Sequence, residues 1–304
     1  MNRRDFISKS IRTGILTTSA LTFGKDFLFN ETLAEETYDL VAVKGGEPDS
    51  MFDKAIASLG GMKKFVKKNQ TVVVKPNIGW DVTPERAGNT NPLLVKRIIE
   101  HCFKAGAKKV YAFDNTCDDW TRCYSSSGIE KAVKDAGGEI VPGWSEGYYQ
   151  QVDIKNGMIM KNAKVHELIL ESDVFINVPI LKHHSSSGVT IGMKNLMGIV
   201  WDRWYWHQND LHQCIADFAG FRKPDLNVVD AYLILKRNGP RGVSKADVIE
   251  LKSQIISSDI VAADAAAAKL FGVEPDSIPH IKIAGEMKVG EKDLSKLSIN
   301  RIKM

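Results

Sequence analysis

The sequence contains few cysteines, and their spacing is not that of a metal site. Its 304 residues include four cysteines, namely Cys102, Cys117, Cys123 and Cys214, and no C-x-x-C pair occurs among them. The spacing therefore predicts neither a structural zinc site nor an iron–sulfur cluster. Cys102 falls on the apolar side of a predicted helix and is expected in the core. The sequence is compatible both with a disulfide between Cys117 and Cys123 in an oxidising compartment and with two free thiols.

Long hydrophobic runs, blocks of like charge and internal repeats are also missing. The formal net charge is +4, from 41 Lys and Arg against 37 Asp and Glu. The basic residues do not gather into a stripe, so no nucleic-acid partner is predicted. No segment is long and apolar enough to predict a stable membrane span. A content of 43% hydrophobic and 26% charged residues is typical of globular proteins.

The first 34 residues are predicted to be a targeting segment. Arg3 and Arg4, followed by Phe6 and Ile7, resemble the twin-arginine export signal, and a weakly apolar stretch follows them. Small residues before Ala34 are compatible with cleavage after it. The resemblance implies recognition by the twin-arginine export machinery and a periplasmic location, with residues 35–304 as the mature domain. The alternative is a basic, disordered N-terminus.

Strand-like and helix-like segments alternate along the rest of the chain. Apolar, β-branched runs at residues 71–74, 109–113 and 173–178 predict strands, and a helix is predicted over 92–105 with Asn91 as its cap. A longer helix is predicted over 51–67. The alternation predicts an α/β fold with a mainly parallel sheet flanked by helices, in one body or two lobes.

Polar side chains follow four predicted strands at the point where each is expected to end. They are Lys75, Asn77, Asp114, Lys182, His184 and Asp230. Ligands bind beyond the carboxyl ends of parallel strands, so these groups are expected at one edge of the sheet. Each of these residues, taken alone, is also compatible with an ordinary turn or helix-cap position. Four strands that end alike favour a functional site.

The segment LKHHSSSGVTIGMKNLMG, residues 181–198, is rich in donors and glycines. Pro179 and the serines predict that the preceding strand stops and that a loop follows. Glycines such as Gly188 permit close approach of an anion or cofactor to the backbone. Lys194 is a candidate ligand for a carboxylate or phosphate, or a nucleophile. His184, and His212 on the next predicted helix, are candidate metal ligands or proton carriers.

Two further features carry expectations. Asp264 is a single carboxylate in an alanine-rich helix, and it is expected to pair with Lys75 or Lys194. The three tryptophans within residues 201–206 are expected in the core or at an interface, with a substrate pocket as the alternative.

Several motifs together resemble the family known as domain of unknown function 362. They are VVVKPN, GAKKVYAFDNT, ESDVFINVPILKHH, SSGVTIGMKNLMG, PDLNVVDAY and DIVAADAAAAKLFG, and they span about residues 72–272. The pattern fits with a one-residue slip at Lys182-His183-His184, which makes His184 the family's histidine. Many relatives carry an appended ferredoxin-like cysteine cluster that this chain lacks, which argues against electron transfer.

The family is also distantly similar to the nickel-pincer lactate racemases. That resemblance implies a nickel cofactor anchored on Lys194, with His184 and His212 as metal ligands or proton carriers. The other candidate cofactor contacts are Lys75, Asn77, Gly188, Thr190 and Asn195. The candidate substrate contacts are Lys182, Arg203 and Asn238. Asp114 and Asp230 complete the candidate catalytic set.

The sequence therefore predicts an exported enzyme that depends on a cofactor or metal and acts on a small anionic substrate, in the manner of a racemase or isomerase. One alternative is a metal-free hydrolase or transferase that uses Asp114, Asp230 and the histidines as acid and base. A second alternative is a periplasmic module that binds a small ligand reversibly. A stoichiometric metal or a covalent adduct on Lys194 would distinguish the cofactor- or metal-dependent enzyme from both alternatives.

Overall fold

The computed structural model describes residues 37–304, and the predicted export signal lies outside the described residues. The strands are β1 (Leu40–Lys44), β2 (Thr71–Pro76), β3 (Lys109–Ala112), β4 (Glu139–Ile140), β5 (Tyr149–Asp153), β6 (Asn162–His166), β7 (Val174–Val178), β8 (Ile180–His184), β9 (Gly188–Thr190), β10 (Leu226–Leu235), β11 (Val248–Ser257) and β12 (Ile299–Lys303). The helices are α1 (Pro48–Ser58), α2 (Pro92–Ala105), α3 (Trp120–Ser126), α4 (Ile129–Asp135), α5 (Glu167–Glu171), α6 (Gly192–Asn195), α7 (Trp204–Gln208), α8 (Leu211–Ala219), α9 (Ile260–Phe271) and α10 (Pro279–Glu286).

A mainly parallel sheet organises these elements, as the sequence predicts. Its 10 strands follow the order β12-β1-β11-β10-β7-β2-β3-β4, with β8 beside β10 and β9 beside β8. The pairs from β10 through β7, β2 and β3 to β4 are parallel, whereas β11 runs antiparallel to both of its neighbours. Strands β5 and β6 form a separate antiparallel pair. Residues Tyr38–Met304 form one compact unit, so the described chain is not divided into two lobes.

The central strands are buried on both faces because helices cover both sides of the sheet. Val73 and Phe175 belong to one hydrophobic cluster, whereas Val72 and Val74 belong to a second cluster across the sheet. Alternate residues of a strand point to opposite faces, so each strand contributes to both clusters. This burial explains the nearly continuous apolar sequence of β2 and β7.

Local sequence signals set the ends of the helices. In α2, the Asn91 side chain accepts a hydrogen bond from the Leu93 amide, and the helix ends at Gly106, whose φ is +110°. The predicted helix over 51–67 is wrong in its second half. Helix α1 ends at Ser58 because Gly60 and Gly61 follow it with positive φ values of +90° and +81°.

Several strand predictions also need correction. The strand before Pro179 stops at Val178, as predicted, but the loop expected after the proline is not found, because β8 begins at the next residue. The proline stands between β7 and β8, where its missing N–H is not needed, and its carbonyl accepts a hydrogen bond of 2.8 Å from the Asp230 amide. Asp230 was expected at the end of a strand, but β10 continues beyond it to Leu235. Likewise, Lys75 lies within β2, and Lys182 and His184 lie within β8.

No helix in residues 37–304 is both long enough and apolar enough to cross a membrane.

Candidate functional site

An open cavity of about 1170 Å³ lies where β2, β3 and β8 end. Its inner part is formed by side chains from these strand ends and from α6, which follows β9. Its outer part is formed by the loop before α7, by α7 itself and by β6. The volume is slightly above the range typical of small-molecule sites. The strand-end edge predicted from the sequence therefore borders this cavity.

Most of the predicted site residues line this cavity. They are Lys75, Asn77, Asp114, Lys182, His184, Thr190, Lys194, Asn195 and Arg203. The remaining ones, which do not line it, are Gly188, His212, Asp230 and Asn238.

The residues outside the cavity lining have partners of their own. The Asp230 carboxylate accepts hydrogen bonds from the Asn91 amide at 2.7 Å and from the Tyr232 amide at 3.1 Å. Burial raises the pKa of Asp230 to about 6. The side-chain amide of Asn238 donates a hydrogen bond to the Asp247 carboxylate at 2.7 Å and so stabilises the turn that contains Asn238. The structure therefore gives Asp230 and Asn238 positions in the scaffold.

His212 does not line the cavity and is paired with another histidine. Its Nδ1 atom lies 3.0 Å from Nδ1 of His280, and the two rings are stacked with centroids 5.3 Å apart. His184, by contrast, lines the cavity. Among residues 37–304, no three His, Cys, Asp or Glu side chains are arranged to hold a metal ion.

A buried ion pair closes the inner end of the cavity. Lys75 Nζ lies 3.0 Å from Asp114 Oδ1 and donates to the Asn195 carbonyl at 2.7 Å. The second Asp114 oxygen accepts a hydrogen bond from the Ile78 amide. Only glycine fits at position 198, because a Cβ there would lie 1.8 Å from Asp114 Oδ1. The charge of Lys75 is thus balanced within the protein.

Lys182 and Lys194 are buried without a carboxylate partner. Lys182 Nζ donates to the Gly88 carbonyl at 2.6 Å and to Asn77 Oδ1 at 3.0 Å. Lys194 Nζ contacts the Met197 sulfur at 2.9 Å. Neither amine forms an ion pair with a residue of the described chain. Burial lowers the pKa of Lys182 to about 7 and that of Lys194 to about 8, so both titrate near neutral pH.

His184 presents a neutral ring to the cavity. Its Nδ1 accepts hydrogen bonds from the amides of Ser186 and Ser187 at 3.1 and 3.4 Å. Burial, with the nearby charges of Lys194 and Lys182, lowers the pKa of His184 to about 2. A neutral imidazole that accepts at Nδ1 carries its proton on Nε2, an assignment that follows from these hydrogen bonds. In this arrangement Nε2 of His184 carries a proton that it can donate.

Asp264 positions the helix that carries Lys194. Its carboxylate accepts hydrogen bonds from the amides of Gly192 at 2.7 Å and Met193 at 3.0 Å, at the start of α6. The expected pairing of Asp264 with a lysine is therefore wrong, because two backbone amides satisfy the carboxylate instead. Burial raises the pKa of Asp264 to about 7. A Cβ at position 192 would lie 2.7 Å from Asp264, which explains the glycine.

Arg203 joins the outer loop to the end of β3. Its guanidinium donates to the Asn115 carbonyl at 2.6 Å and to the Thr116 carbonyl at 2.7 Å. The same group lies 3.4 Å from the Cys117 sulfur, which also lines the cavity. Cys117 and Cys123 are both free thiols here. Arg203 therefore shapes the cavity wall as well as adding positive charge.

Sequence reasoning missed several residues of the outer cavity. The tryptophans were expected in the core or at an interface, with a substrate pocket as the alternative; Trp206 is fully buried, whereas Trp201 and Trp204 line the cavity. Tyr205 and His207 line it as well. The one available signal was the aromatic density of WDRWYWH, which does not distinguish a core from a pocket.

The sequence comparison decides the family. Residues 72–269 match the model of a family described as domain of unknown function (DUF362). The chain belongs to this family. The resemblance inferred from the motifs is therefore confirmed for the greater part of the chain.

Three known proteins are similar to this DUF362 member. The thylakoid-associated protein sll1697 of Synechocystis sp. is 26% identical over 229 residues, which are 73% of this chain and 69% of that protein. The lactate racemase apoprotein of Thermoanaerobacterium thermosaccharolyticum is 12% identical with a TM-score of 0.48, over 78% of this chain and 58% of that one. A protein from Thermotoga maritima is 11% identical with a TM-score of 0.45, over 79% and 60%. The chain thus spans less than two thirds of either solved structure.

Proposed function

We propose that the cavity binds a small anionic molecule and that the protein is an enzyme that transforms it. The observation that carries the proposal is Lys194. Its side chain is only 8% exposed, lines the cavity and has no carboxylate partner in the described structure. A buried ammonium without a counter-ion is costly, and a bound anion would remove that cost.

The groups around Lys194 support the same proposal because they are hydrogen-bond donors. Lys182 is a second buried amine on the cavity wall, and His184 donates through Nε2. The hydroxyl of Thr190 is buried, lines the cavity and has no hydrogen-bond partner among the described residues. Amines, an imidazole N–H and a hydroxyl together suit the oxygens of a carboxylate or phosphate.

The residues also fit an anionic organic cofactor attached through Lys194. The amine has no ion-pair partner among residues 37–304, and Asn195 and Thr190 also line the cavity. Such a group would supply a reversible acceptor for hydrogen from the substrate, which racemase or isomerase chemistry requires. Lys194 would hold it, while Lys182 and His184 would orient the substrate anion. This reaction class rests on the resemblance to the racemases in sequence.

Reversible binding without turnover is a second candidate, favoured by the state of the acid–base groups. Asp114 is paired with Lys75, and the low pKa of His184 makes it a poor base near neutral pH. Asp230 does not line the cavity. The metal-free hydrolase that would use these three residues is thus the least supported alternative.

Intact-mass measurement and elemental analysis test the proposal on protein purified from its natural compartment. We expect a bound anionic molecule, or added mass on Lys194, that is lost in Lys194→Ala and kept in Lys155→Ala, an exposed control. Consumption of a hydroxy acid by the loaded protein would distinguish an enzyme from a binding module. Protein of plain sequence mass, with no ligand retained in either form, would contradict the proposal.

Export through the twin-arginine pathway to the periplasm, with residues 1–34 as the signal, is part of the same proposal. It is supported by the Arg3-Arg4 motif. Replacing both arginines by lysine should retain the full-length chain in the cytoplasm, whereas the wild type should appear in the periplasm shortened by cleavage after Ala34. Equal distribution of the two proteins on fractionation would refute the assignment.

A further inference from the structure

Aromatic side chains form one side of the cavity mouth. Trp204 and Tyr205, the first residues of α7, line the cavity and are 70% and 38% exposed. Trp201 lies on the same lining. Single exposed aromatic residues are common on protein surfaces, but a group of them at a binding cavity forms an apolar surface available to a ligand.

Trp144 provides a contrast within the same chain. It is also 38% exposed, but its ring stacks on Trp120 with centroids 3.4 Å apart and an interplanar angle of 8°. Trp204 has no parallel partner of this kind in the described structure. Its ring meets His207 edge-on, at 6.0 Å and 71°. The flat face of Trp204 is therefore open for stacking, whereas that of Trp144 is already occupied.

A row of rings leads from Trp204 towards the buried lysines. His207 lies one helical turn after Trp204, and its ring is nearly parallel to that of His184, at 6.3 Å and 13°. His184 is buried and lies within electrostatic range of Lys182 and Lys194. An aromatic wall thus runs from the exposed mouth to the cationic inner part of the cavity.

We infer that the cavity selects an anion that carries a planar aromatic ring, with the anionic group at Lys182 and Lys194 and the ring against Trp204 and Tyr205. This inference rests on the proposed anion site and adds the class of ligand. A cavity of about 1170 Å³ has room for a molecule much larger than a three-carbon hydroxy acid. Aromatic stacking should favour such a ligand over one with a saturated ring by about 2- to 12-fold in affinity.

Isothermal titration calorimetry with matched probes tests the inference on residues 35–304, the proposed mature chain. The probes are phenyl phosphate and cyclohexyl phosphate, benzoate and cyclohexanecarboxylate, and inorganic phosphate. Each pair has the same charged group and a ring of similar size, so the ratio of the two affinities isolates stacking. The variants are Trp204→Ala, which removes the open ring, and Trp144→Ala, which removes an equally hydrophobic ring outside the cavity lining.

We expect the aromatic probe of a pair to bind more tightly to the wild type and to Trp144→Ala, and the preference to vanish in Trp204→Ala. Equal affinities within the pairs, or a preference that survives in Trp204→Ala, would overturn the inference and leave the anion site intact. If none of the probes, inorganic phosphate included, binds the wild type, the proposed function fails and the inference fails with it.

Discussion

Replacing Lys194 by methionine should stabilise the protein at neutral pH. Methionine keeps the length of the side chain and its contact with Met197, but it removes the buried amine. The pKa of Lys194 falls from 10.5 to about 8 in the folded protein. At roughly 1.4 kcal/mol for each tenfold change in proton affinity, this corresponds to about 3 kcal/mol. The wild type carries this cost whenever both the folded and unfolded amines are protonated.

The pH dependence makes the prediction specific. Below pH 8 both states of the wild type hold the proton, so the full cost is present and Lys194→Met should be more stable by about 3 kcal/mol. Between pH 8 and 10.5 the unfolded chain binds more protons than the folded one, so the stability of the wild type rises with pH. The advantage of the variant should therefore shrink through that window.

Urea denaturation at pH 6.5, 8 and 9.5 measures the effect, with Lys155→Met as the matched control. Lys155 is exposed, so its replacement should change the free energy of unfolding by less than about 0.5 kcal/mol at every pH. A Lys194→Met protein that is less stable than the wild type at pH 6.5, or whose difference from the wild type does not change with pH, would refute the account of a buried, unpaired amine.

Three further predictions concern the scaffold of the site. Lys75→Met leaves the buried Asp114 without its counter-ion and should lower the free energy of unfolding by roughly 3–5 kcal/mol. Urea denaturation at pH 7 measures this loss, and a loss below about 1 kcal/mol would be inconsistent with a buried ion pair. Gly198→Ala brings a Cβ to 1.8 Å from Asp114 Oδ1 and should cost about 1–3 kcal/mol, whereas Gly147→Ala, whose nearest contact is at 3.9 Å, should be nearly neutral on thermal unfolding. Burial raises the pKa of Asp264 to about 7, so the unfolded state loses its proton first and the wild type should lose stability as pH rises from about 4 to about 7. Asp264→Asn should lack that component in urea unfolding at pH 4.5 and 7.5, and an unchanged pH slope would count against the assignment.

The sequence was sufficient to predict the inner part of the cavity because it depends on strand ends. Lys75, Asp114 and Lys182 come from separate strands, and a parallel sheet brings their carboxyl ends to one edge. The glycine-rich segment containing Lys194 was predictable for a related reason. Its glycines were expected to let an anion or cofactor approach the backbone, but at Gly198 the close contact is with the protein's own Asp114.

The remaining features depend on contacts between distant residues. Asp230 looked like a strand-end group, but its role depends on an amide in the loop before α2, 139 positions away in the sequence. Asp264 was expected to pair with a lysine. Its actual partners are two backbone amides at the start of α6, and the sequence does not show that these amides lie next to the carboxylate. His207 and Trp204 carry no local signal that separates a cavity wall from a core, since both depend on how α7 packs.

The most direct test of the central claim is a titration of the wild type and Lys194→Met with inorganic phosphate and with lactate, at pH 7 and pH 9.5. The account predicts that at least one anion binds the wild type at pH 7 and binds more weakly at pH 9.5, since Lys182 and Lys194 lose their protons near pH 7 and 8. It also predicts weaker binding to Lys194→Met at pH 7. Binding that is unchanged by the substitution and by pH, or no binding of either anion, would contradict the claim that the buried lysines form an anion site.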